Sequence, residues 1–292
     1  MKIEILEPKG YCAGVTNAIK IALKAKEEHK NETVYILGML VHNEQVISFL
    51  KQQGIHVVYE PKKSLLDLSK DIPEGSIVVF TAHGHEVQLD KVALDKKFVV
   101  YDAVCPRVKQ NIELINKALQ NGHQVIYIGF KNHPESLAAV SINKNVILYD
   151  MNDNFDFNQI NDNEPLVLNQ TTLNSLEIKD IQTEIKSHFP KALIMDEICN
   201  ATRARQNAIV ESEEDVDLII VVGDKKSSNT NRLLEIAKST KPNAESIMIA
   251  SKDDISSTDL KRFKNKNHII ISSGASTPSE SIDAIYNLIK NY

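Results

Sequence analysis

The chain has 292 residues, of which 42% are hydrophobic and 25% charged, an ordinary composition for a globular protein of one large domain or two to three small ones. Its net charge of −5 argues against general nucleic-acid binding, which requires a basic face. Its apolar runs are shorter than a membrane span, and the amino terminus is charged where a signal peptide is apolar. These features and the odd number of cysteines predict a cytoplasmic protein that binds neither nucleic acid nor membrane.

Short β-branched apolar runs alternate with amphipathic stretches along the whole chain. The runs are predicted strands, at residues 3–6, 33–37, 76–80, 97–101, 124–130, 165–168, 217–223, 245–250 and 268–273. The stretches between them contain predicted helices, at 14–28, 43–53, 107–121, 175–188, 229–239 and 278–290. Nearly continuous apolar strands are typical of parallel sheets that are buried on both faces, so the predicted fold class is α/β.

Three cysteines lie almost evenly along the chain, at Cys12, Cys105 and Cys199, with intervals of 93 and 94 residues. One cysteine in each third predicts three similar α/β modules. We place these modules at residues 1–102, 103–195 and 196–292, with the first strand free to join another module. Three converging thiolates would leave one position open on tetrahedral zinc or on a cubane iron–sulfur cluster. Cysteine count alone favours the alternative, three unrelated buried thiols.

Polar residues follow most of the predicted strands directly. They include His42, His83, His133, Glu135, Thr171, Ser227, Ser228, Asn229 and Ser276. Ligands of open α/β sheets bind outside the carboxyl ends of the strands, so modules that face one another at those ends would bring these residues to one cavity. Further candidates for contact with a phosphate are Arg203, Arg205, Lys225 and Lys226.

Each of these residues also has an ordinary structural explanation. A single loop histidine is more often solvated or hydrogen-bonded than functional. The Ser227–Asn229 segment precedes a predicted helix, where N-capping explains at least one residue but free N–H groups also attract phosphate. Ser276 precedes another predicted helix in the same way. Glu135 is either a solvated loop acid or, beside His133, a tuned proton donor.

Nine short motifs occur along the chain: GYCAGV, LGMLVHNEQV, TAHG, DAVCPRV, NHPE, NQTTL, EICNATRARQ, SSNTNRL and SGAST. In this order they resemble the 4-hydroxy-3-methylbut-2-enyl diphosphate (HMBPP) reductase family, over residues from about 10 to 280. Any one motif is weak. Nine in order, including all three cysteines, are highly specific.

The resemblance implies three α/β modules around a central cavity with a [4Fe–4S] cluster held by Cys12, Cys105 and Cys199. It implies Glu135 as the proton donor and Thr171 as a residue beside the substrate hydroxyl. The implied substrate-binding residues are His42, His83, His133, Thr171, Ser227, Ser228, Asn229 and Ser276.

The implied reaction is reductive removal of the hydroxyl of HMBPP, which gives isopentenyl and dimethylallyl diphosphates. The two electrons would come from a ferredoxin- or flavodoxin-type donor, because the sequence contains no P-loop or dinucleotide fingerprint. Protonated histidines would help to balance the diphosphate charge.

Two other classes of function share the three-cysteine pattern. A hydroxy-acid lyase would use the open iron without net electron consumption, and it would need carboxylate-binding arginines more than phosphate-type helix starts. An iron–sulfur sensor would expose its cluster and an interaction surface, and this sequence offers no DNA-binding motif. Ligand type alone also leaves zinc open.

Overall fold

Three four-stranded parallel sheets form the core of the fold in the computed structural model, which describes residues 1–195 and 197–292. The first sheet has the order β3-β2-β4-β5, with β2 at Val34–Leu37, β3 at Ile55–Val58, β4 at Ile77–Phe80 and β5 at Val99–Asp102. Its helices are α1 (Ala13–Glu28), α2 (Glu44–Gln52), α3 (Leu65–Lys70) and α4 (Gln88–Asp95).

The second sheet has the order β7-β6-β8-β9, with β6 at Val125–Gly129, β7 at Val146–Asp150, β8 at Leu166–Asn169 and β9 at Leu193–Ile194. Its helices are α5 (Pro106–Gln120), α6 (Pro134–Ser141) and α7 (Ser175–His188), with a 3₁₀ turn at Phe157–Gln159.

The third sheet takes one strand from the amino terminus. Its order is β1-β12-β10-β11, with β1 at Lys2–Ile5, β10 at Leu218–Val222, β11 at Glu245–Ile249 and β12 at His268–Ser273. The register of the shared pair runs from Lys2 opposite His268 to Ile5 opposite Ile271. Its helices are α8 (Asn200–Val210), α9 (Ser228–Thr240), α10 (Ser257–Lys264) and α11 (Ser279–Lys290), with a 3₁₀ turn at Lys252–Asp254.

The three sheets repeat one topology. In each sheet the first strand of the module lies between the second and third, and a fourth strand pairs with the third. The fourth strands are β5, β9 and, in the last sheet, β1. The α/β fold with three similar modules is therefore confirmed. The exact module limits at residues 102 and 195 stay predictions.

The predicted elements coincide with observed ones to within two residues at each end. Strands β4, β6, β8, β10 and β12 are buried throughout, as expected for parallel strands covered on both faces. The prediction missed β3, β7 and β9, as well as helices α3, α4, α6, α8 and α10. Strands β3 and β7 lie at sheet edges and are only half-buried, and β9 has two residues, so their apolar signal is weak.

Candidate functional site

Each cysteine lies at the point where the chain leaves the fourth strand of one sheet and begins the first helix of the next module. Cys12 follows β1 and is the N-cap of α1, Cys105 stands in the same place between β5 and α5, and Cys199 between β9 and α8. The even spacing of the cysteines is therefore a consequence of the repeated topology.

One backbone hydrogen bond recurs at each cysteine. The cysteine N–H donates to a carbonyl in the loop that follows the third strand of the same sheet. The three bonds run from Cys12 to Ala275, from Cys105 to Ala82 and from Cys199 to Thr171, at 2.9, 3.0 and 2.9 Å. The fold thus presents the three thiols in equivalent positions at the carboxyl ends of the sheets.

The space around the thiols is close-fitting. A Cβ atom at Gly14 would lie 2.8 Å from the Cys105 Sγ and 3.7 Å from the Cys12 Sγ, so a side chain at this position would displace a thiol. Burial raises the pKa of the Cys105 thiol, and the neighbouring Cys12 and Cys199 raise it further. Three interacting thiols need positive charge among them to exist as thiolates, so this donor set fits a metal ion or an iron–sulfur cluster.

Three histidines form one aromatic cluster beside the thiols. The rings of His42 and His83 stack with centroids 4.1 Å apart, and His133 meets them edge-on at 5.7 and 5.8 Å. Their ring nitrogens lie within 4.8 Å of one another, a spacing that also suits a metal ion. The His83 Nε2 is buried and has no partner in the described protein, so this cluster presents at least one free polar atom to a ligand.

Burial keeps the three histidines neutral at pH 7. Burial lowers the pKa of His42 to about 4 and of His133 to about 3, and it lowers the pKa of His83 well below its usual value. His133 is also the N-cap of α6, where its Nδ1 accepts a hydrogen bond of 3.2 Å from the Glu135 N–H. The ring proton of His133 is therefore on Nε2. Desolvation is the largest cause of each of these shifts, and protonation of the histidines beside a bound diphosphate stays a prediction.

Acid should destabilise the fold through these histidines. The unfolded chain protonates its histidines near pH 6.5, whereas His42 in the folded protein stays neutral down to about pH 4. The folded protein therefore loses stability as the pH falls through this window. We expect His42→Gln to make the urea midpoint less sensitive to pH between 7 and 5 than in the wild type. An equal pH dependence of the urea midpoint in the two proteins would contradict the assignment of His42 as a histidine that burial keeps neutral. His56→Gln, at an exposed position, is the matched control.

Glu135 is a buried carboxyl group held by a single partner residue. Its side chain is 3% exposed and accepts hydrogen bonds from the Thr171 N–H at 2.8 Å and from the Thr171 Oγ1 at 2.9 Å. Burial raises the pKa of Glu135 to about 7, against the opposite effect of these two hydrogen bonds. Since the Thr171 carbonyl accepts from Cys199, a continuous set of hydrogen bonds connects this acid to a cysteine loop.

The Ser227–Asn229 segment combines capping with free polar atoms. Ser227 is the N-cap of α9 and accepts from the Thr230 N–H at 3.3 Å. Ser228 accepts from Thr172 and Gln170, which tie the second and third modules together. The side-chain nitrogen and oxygen of Asn229 are both buried and have no partner in the described protein. Capping explains Ser227, whereas the Asn229 amide keeps its full hydrogen-bonding capacity for a polar ligand or water in the cavity.

Ser276 lies in the loop before α11, and not at the start of the helix. Helix α11 begins at Ser279 with Pro278 as its N-cap, and Ser276 donates to the His42 carbonyl at 3.3 Å. The predicted turn before this helix is therefore present, and the role of Ser276 as a phosphate ligand stays a prediction. The Thr277 hydroxyl, next in the chain, donates to the Val222 carbonyl at 3.0 Å.

One cavity of about 90 Å³ is lined by all the site residues that the family resemblance implies. They are Cys12, His42, His83, Cys105, His133, Glu135, Thr171, Cys199, Ser227, Ser228, Asn229 and Ser276. The further phosphate candidates Arg203, Arg205, Lys225 and Lys226 do not line it. The cavity shares its three histidines and Ser228 with a wide groove of about 1000 Å³ that reaches the surface, so a ligand can approach from the groove.

Comparison with known proteins gives a match over nearly the whole chain. The family described as LytB protein matches residues 3–290. The chain belongs to the LytB family. A curated relative from Macrococcus caseolyticus, named 4-hydroxy-3-methylbut-2-enyl diphosphate reductase, is 35% identical over 100% of this chain and 90% of its own length. A relative of the same name from Malacoplasma penetrans is 34% identical over 96% of this chain and 94% of its own length.

Solved structures of LytB-type reductases have the same fold. The structure of E-1-hydroxy-2-methyl-but-2-enyl-4-diphosphate reductase from Plasmodium falciparum superimposes with a TM-score of 0.85 and 28% identity, covering 98% of this chain and 87% of that chain. A structure of (E)-4-hydroxy-3-methyl-but-2-enyl diphosphate reductase has a TM-score of 0.67 and 28% identity over both complete chains. The family membership predicted from the nine motifs is confirmed, and with it the assignment as an oxidoreductase.

Sequence reasoning about this LytB member missed one ion pair in the cavity wall. Arg107 lines the cavity, and its Nη2 lies 3.5 Å from the Oε2 of the buried Glu197. Arg107 is two residues after Cys105 and Glu197 is two residues before Cys199, so the pair spans two cysteine loops. The placement of opposite charges beside two cysteines was the signal available in the sequence.

The described residues include no helix long and apolar enough to cross a bilayer.

Proposed function

We propose that this protein reductively removes the hydroxyl group of HMBPP and forms isopentenyl and dimethylallyl diphosphates. The observation that carries the proposal is the convergence of three thiols, a buried acid and unpaired polar side chains on one cavity. The two curated relatives are named as reductases of the same compound.

The three cysteines would hold a [4Fe–4S] cluster, with Gly14 leaving room for two of the thiols. When bound, such a cluster supplies single electrons and an open Lewis-acid site. The three equivalent backbone bonds fix the cysteine loops before any ligand arrives. The protein therefore provides a preformed frame, and the small cavity limits the water around the reacting carbon–oxygen bond.

The diphosphate would be anchored by the residues with free hydrogen-bonding capacity. Asn229 offers its amide, Ser227 and Ser228 lie at the N-terminus of α9, and helix N-termini attract anions. The His133 Nε2–H supplies a further donor, and the unpartnered Nε2 of His83 a further polar atom, on the groove side. Anchoring at this end directs the hydroxyl of the substrate toward the thiols and Glu135.

The proton balance of the reaction gives Glu135 its role. The reaction consumes two electrons and two protons: one proton leaves with the hydroxyl as water, and the other joins the allylic carbon skeleton. With a pKa of about 7, Glu135 is partly protonated at neutral pH, although an ordinary glutamate would be ionised. Thr171 holds the carboxyl group in place and faces the cavity beside it. We assign Glu135 as the donor of the first proton and Thr171 as its partner.

We infer that the electrons come from an external ferredoxin- or flavodoxin-type carrier, in the cytoplasm. The test of the whole proposal is to purify the protein without air, measure iron and acid-labile sulfide, and add HMBPP with a chemical reductant. We expect both products, with two electrons consumed for each. Dehydration without electron consumption would favour a lyase, and bound zinc without sulfide would exclude the cluster.

Loss of the anion-binding residues should weaken diphosphate binding. Ser227→Ala combined with Asn229→Ala removes hydrogen bonds to a charged group, each worth about 1.5–3 kcal/mol. We expect at least about tenfold weaker binding of both HMBPP and inorganic diphosphate, measured by calorimetry. Ser256→Ala is the matched control, because it removes the N-cap of α10 without changing the cavity. Unchanged diphosphate affinity in the double variant would mean that Ser227 and Asn229 do not bind the anion and that the segment serves only to cap the helix.

A further inference from the structure

Arg205 is a buried cation with no acidic partner at ion-pair distance among the described residues. It lies in α8 with 2% of its surface exposed. Its Nη1 donates to the Ala201 carbonyl at 2.9 Å and its Nη2 to the Gly10 carbonyl at 2.6 Å. Its Nε is buried without a partner in the described protein. Neutral carbonyl groups accept its hydrogen bonds but do not cancel its charge, and an uncompensated buried charge is costly.

The ionisable groups that act on Arg205 include two of the cysteines. Burial lowers the pKa of Arg205, and the effects that oppose burial come first from Cys12, then from Cys199, and then from Glu7. Glu7 is exposed and accepts the backbone N–H of Lys9. Arg205 does not line the cavity, and its two hydrogen bonds go to the cysteine loops, so it does not suit a phosphate ligand.

The hydrogen bonds of Arg205 also join two cysteine loops. Gly10 is two residues before Cys12, and Ala201 is two residues after Cys199. One rigid guanidinium group therefore links the loop before α1 to the first turn of α8. A planar group with several fixed donors suits such a link better than a lysine ammonium group.

We propose that Arg205 is the built-in counter-charge of the three-thiolate centre and a positioning residue that favours reduction of the cluster bound there. The inference rests on the proposed function, because it requires an anionic group held by Cys12 and Cys199. Three thiolates around a [4Fe–4S] core with two positive charges have a net charge of −1, and reduction makes it −2. A fixed cation nearby stabilises the more negative state, and net charge is one of the factors that set the potential of such clusters.

The test measures the reduction potential of the substrate-free holoenzyme by a spectroscopically monitored redox titration. Arg205→Gln and Arg205→Met remove the charge, and Arg205→Lys keeps it. For the neutral variants we expect at least a tenfold fall in the equilibrium constant for one-electron reduction, which corresponds to about 59 mV. Arg205→Lys should stay close to the wild type. Arg232→Gln is the matched control, because Arg232 is also largely buried but pairs with Glu235.

Iron and sulfide content and thermal unfolding are measured on every variant. A neutral variant with a full cluster and the wild-type potential would overturn the inference, as would an equal fall in Arg205→Lys. If neither neutral variant folds but Arg205→Lys does, the requirement for charge is supported. If all three Arg205 variants fail to fold, Arg205 serves only as a structural link and the inference is overturned. A wild-type protein without iron and sulfide would instead defeat the proposed function itself.

Discussion

Replacing Glu135 with Gln should lower turnover of HMBPP by about 10²–10⁴-fold, the usual contribution of a positioned general acid. Glutamine keeps the size of the side chain, and its one amide oxygen can accept from the Thr171 N–H while its amide nitrogen donates to the Thr171 Oγ1, but it cannot release a proton to the leaving hydroxyl. Binding of HMBPP should survive, because the proposed diphosphate anchor lies at Asn229 and its neighbours. The measurements are turnover with a chemical reductant and substrate affinity by calorimetry.

The pH profile gives an independent check of the same role. Since burial raises the pKa of Glu135 to about 7, the wild-type rate should fall as the pH rises through about 7 and the acid loses its proton. The residual rate of Glu135→Gln should lack this fall. Glu86→Gln is the control, because Glu86 lines the wide groove and does not line the 90 Å³ cavity. Near-wild-type turnover in Glu135→Gln would assign proton delivery to another group.

Serine at any one of the three cysteine positions should abolish turnover and strip the cluster. The cysteines come from three equivalent junctions, and the chain contains no fourth cysteine that could replace one of them. Serine is a much poorer ligand for iron than a thiolate, which is the soft ligand that these clusters require. The measurements are iron and sulfide per chain, the visible absorption of anaerobic protein, and turnover.

Circular dichroism separates loss of the cluster from loss of the fold in these variants. Cys12 packs against the apolar core of the first sheet, but all three cysteines lie outside the strands, so secondary structure should persist. Gly14→Ala provides a second, steric test with every cysteine intact. The alanine Cβ would lie 2.8 Å from the Cys105 Sγ, so we expect this variant to retain less iron. A colourless cysteine variant that keeps wild-type turnover would exclude the cluster from the reaction.

Much of the fold was predictable because parallel strands covered on both faces are nearly continuous in apolar residues. β10 and β12 have this pattern and were located to within one residue. Strands at the sheet edges, such as β3, are half-exposed and mix polar with apolar residues, so their pattern does not stand out. The pairing of β1 with β12 brings together residues more than 260 positions apart, and no local pattern records it.

In the candidate site too, some features were predictable from the sequence and others depended on tertiary packing. The residues that the motifs nominated as cluster ligands, substrate ligands or proton donor all line the cavity, because polar residues after parallel strands collect at the carboxyl ends of the sheets. The lowered pKa values of the histidines follow from burial, which the sequence does not record, and protonation of the rings beside a diphosphate stays a prediction. The Arg107–Glu197 pair also went unnoticed, because the two residues are 90 positions apart and belong to different cysteine loops.

By itself, the sequence determined the fold class, the threefold division, the family and the identity of the side chains that could do chemistry. These properties depend on local periodicity, on residue type and on the order of short motifs. The tertiary structure alone decided that β1 completes the third sheet, that Asn229 has no partner, and that Glu135 is buried against Thr171. Desolvation and hydrogen bonding depend on which distant segments pack together, and this packing sets the pKa values and the unsatisfied polar atoms on which the proposed function rests.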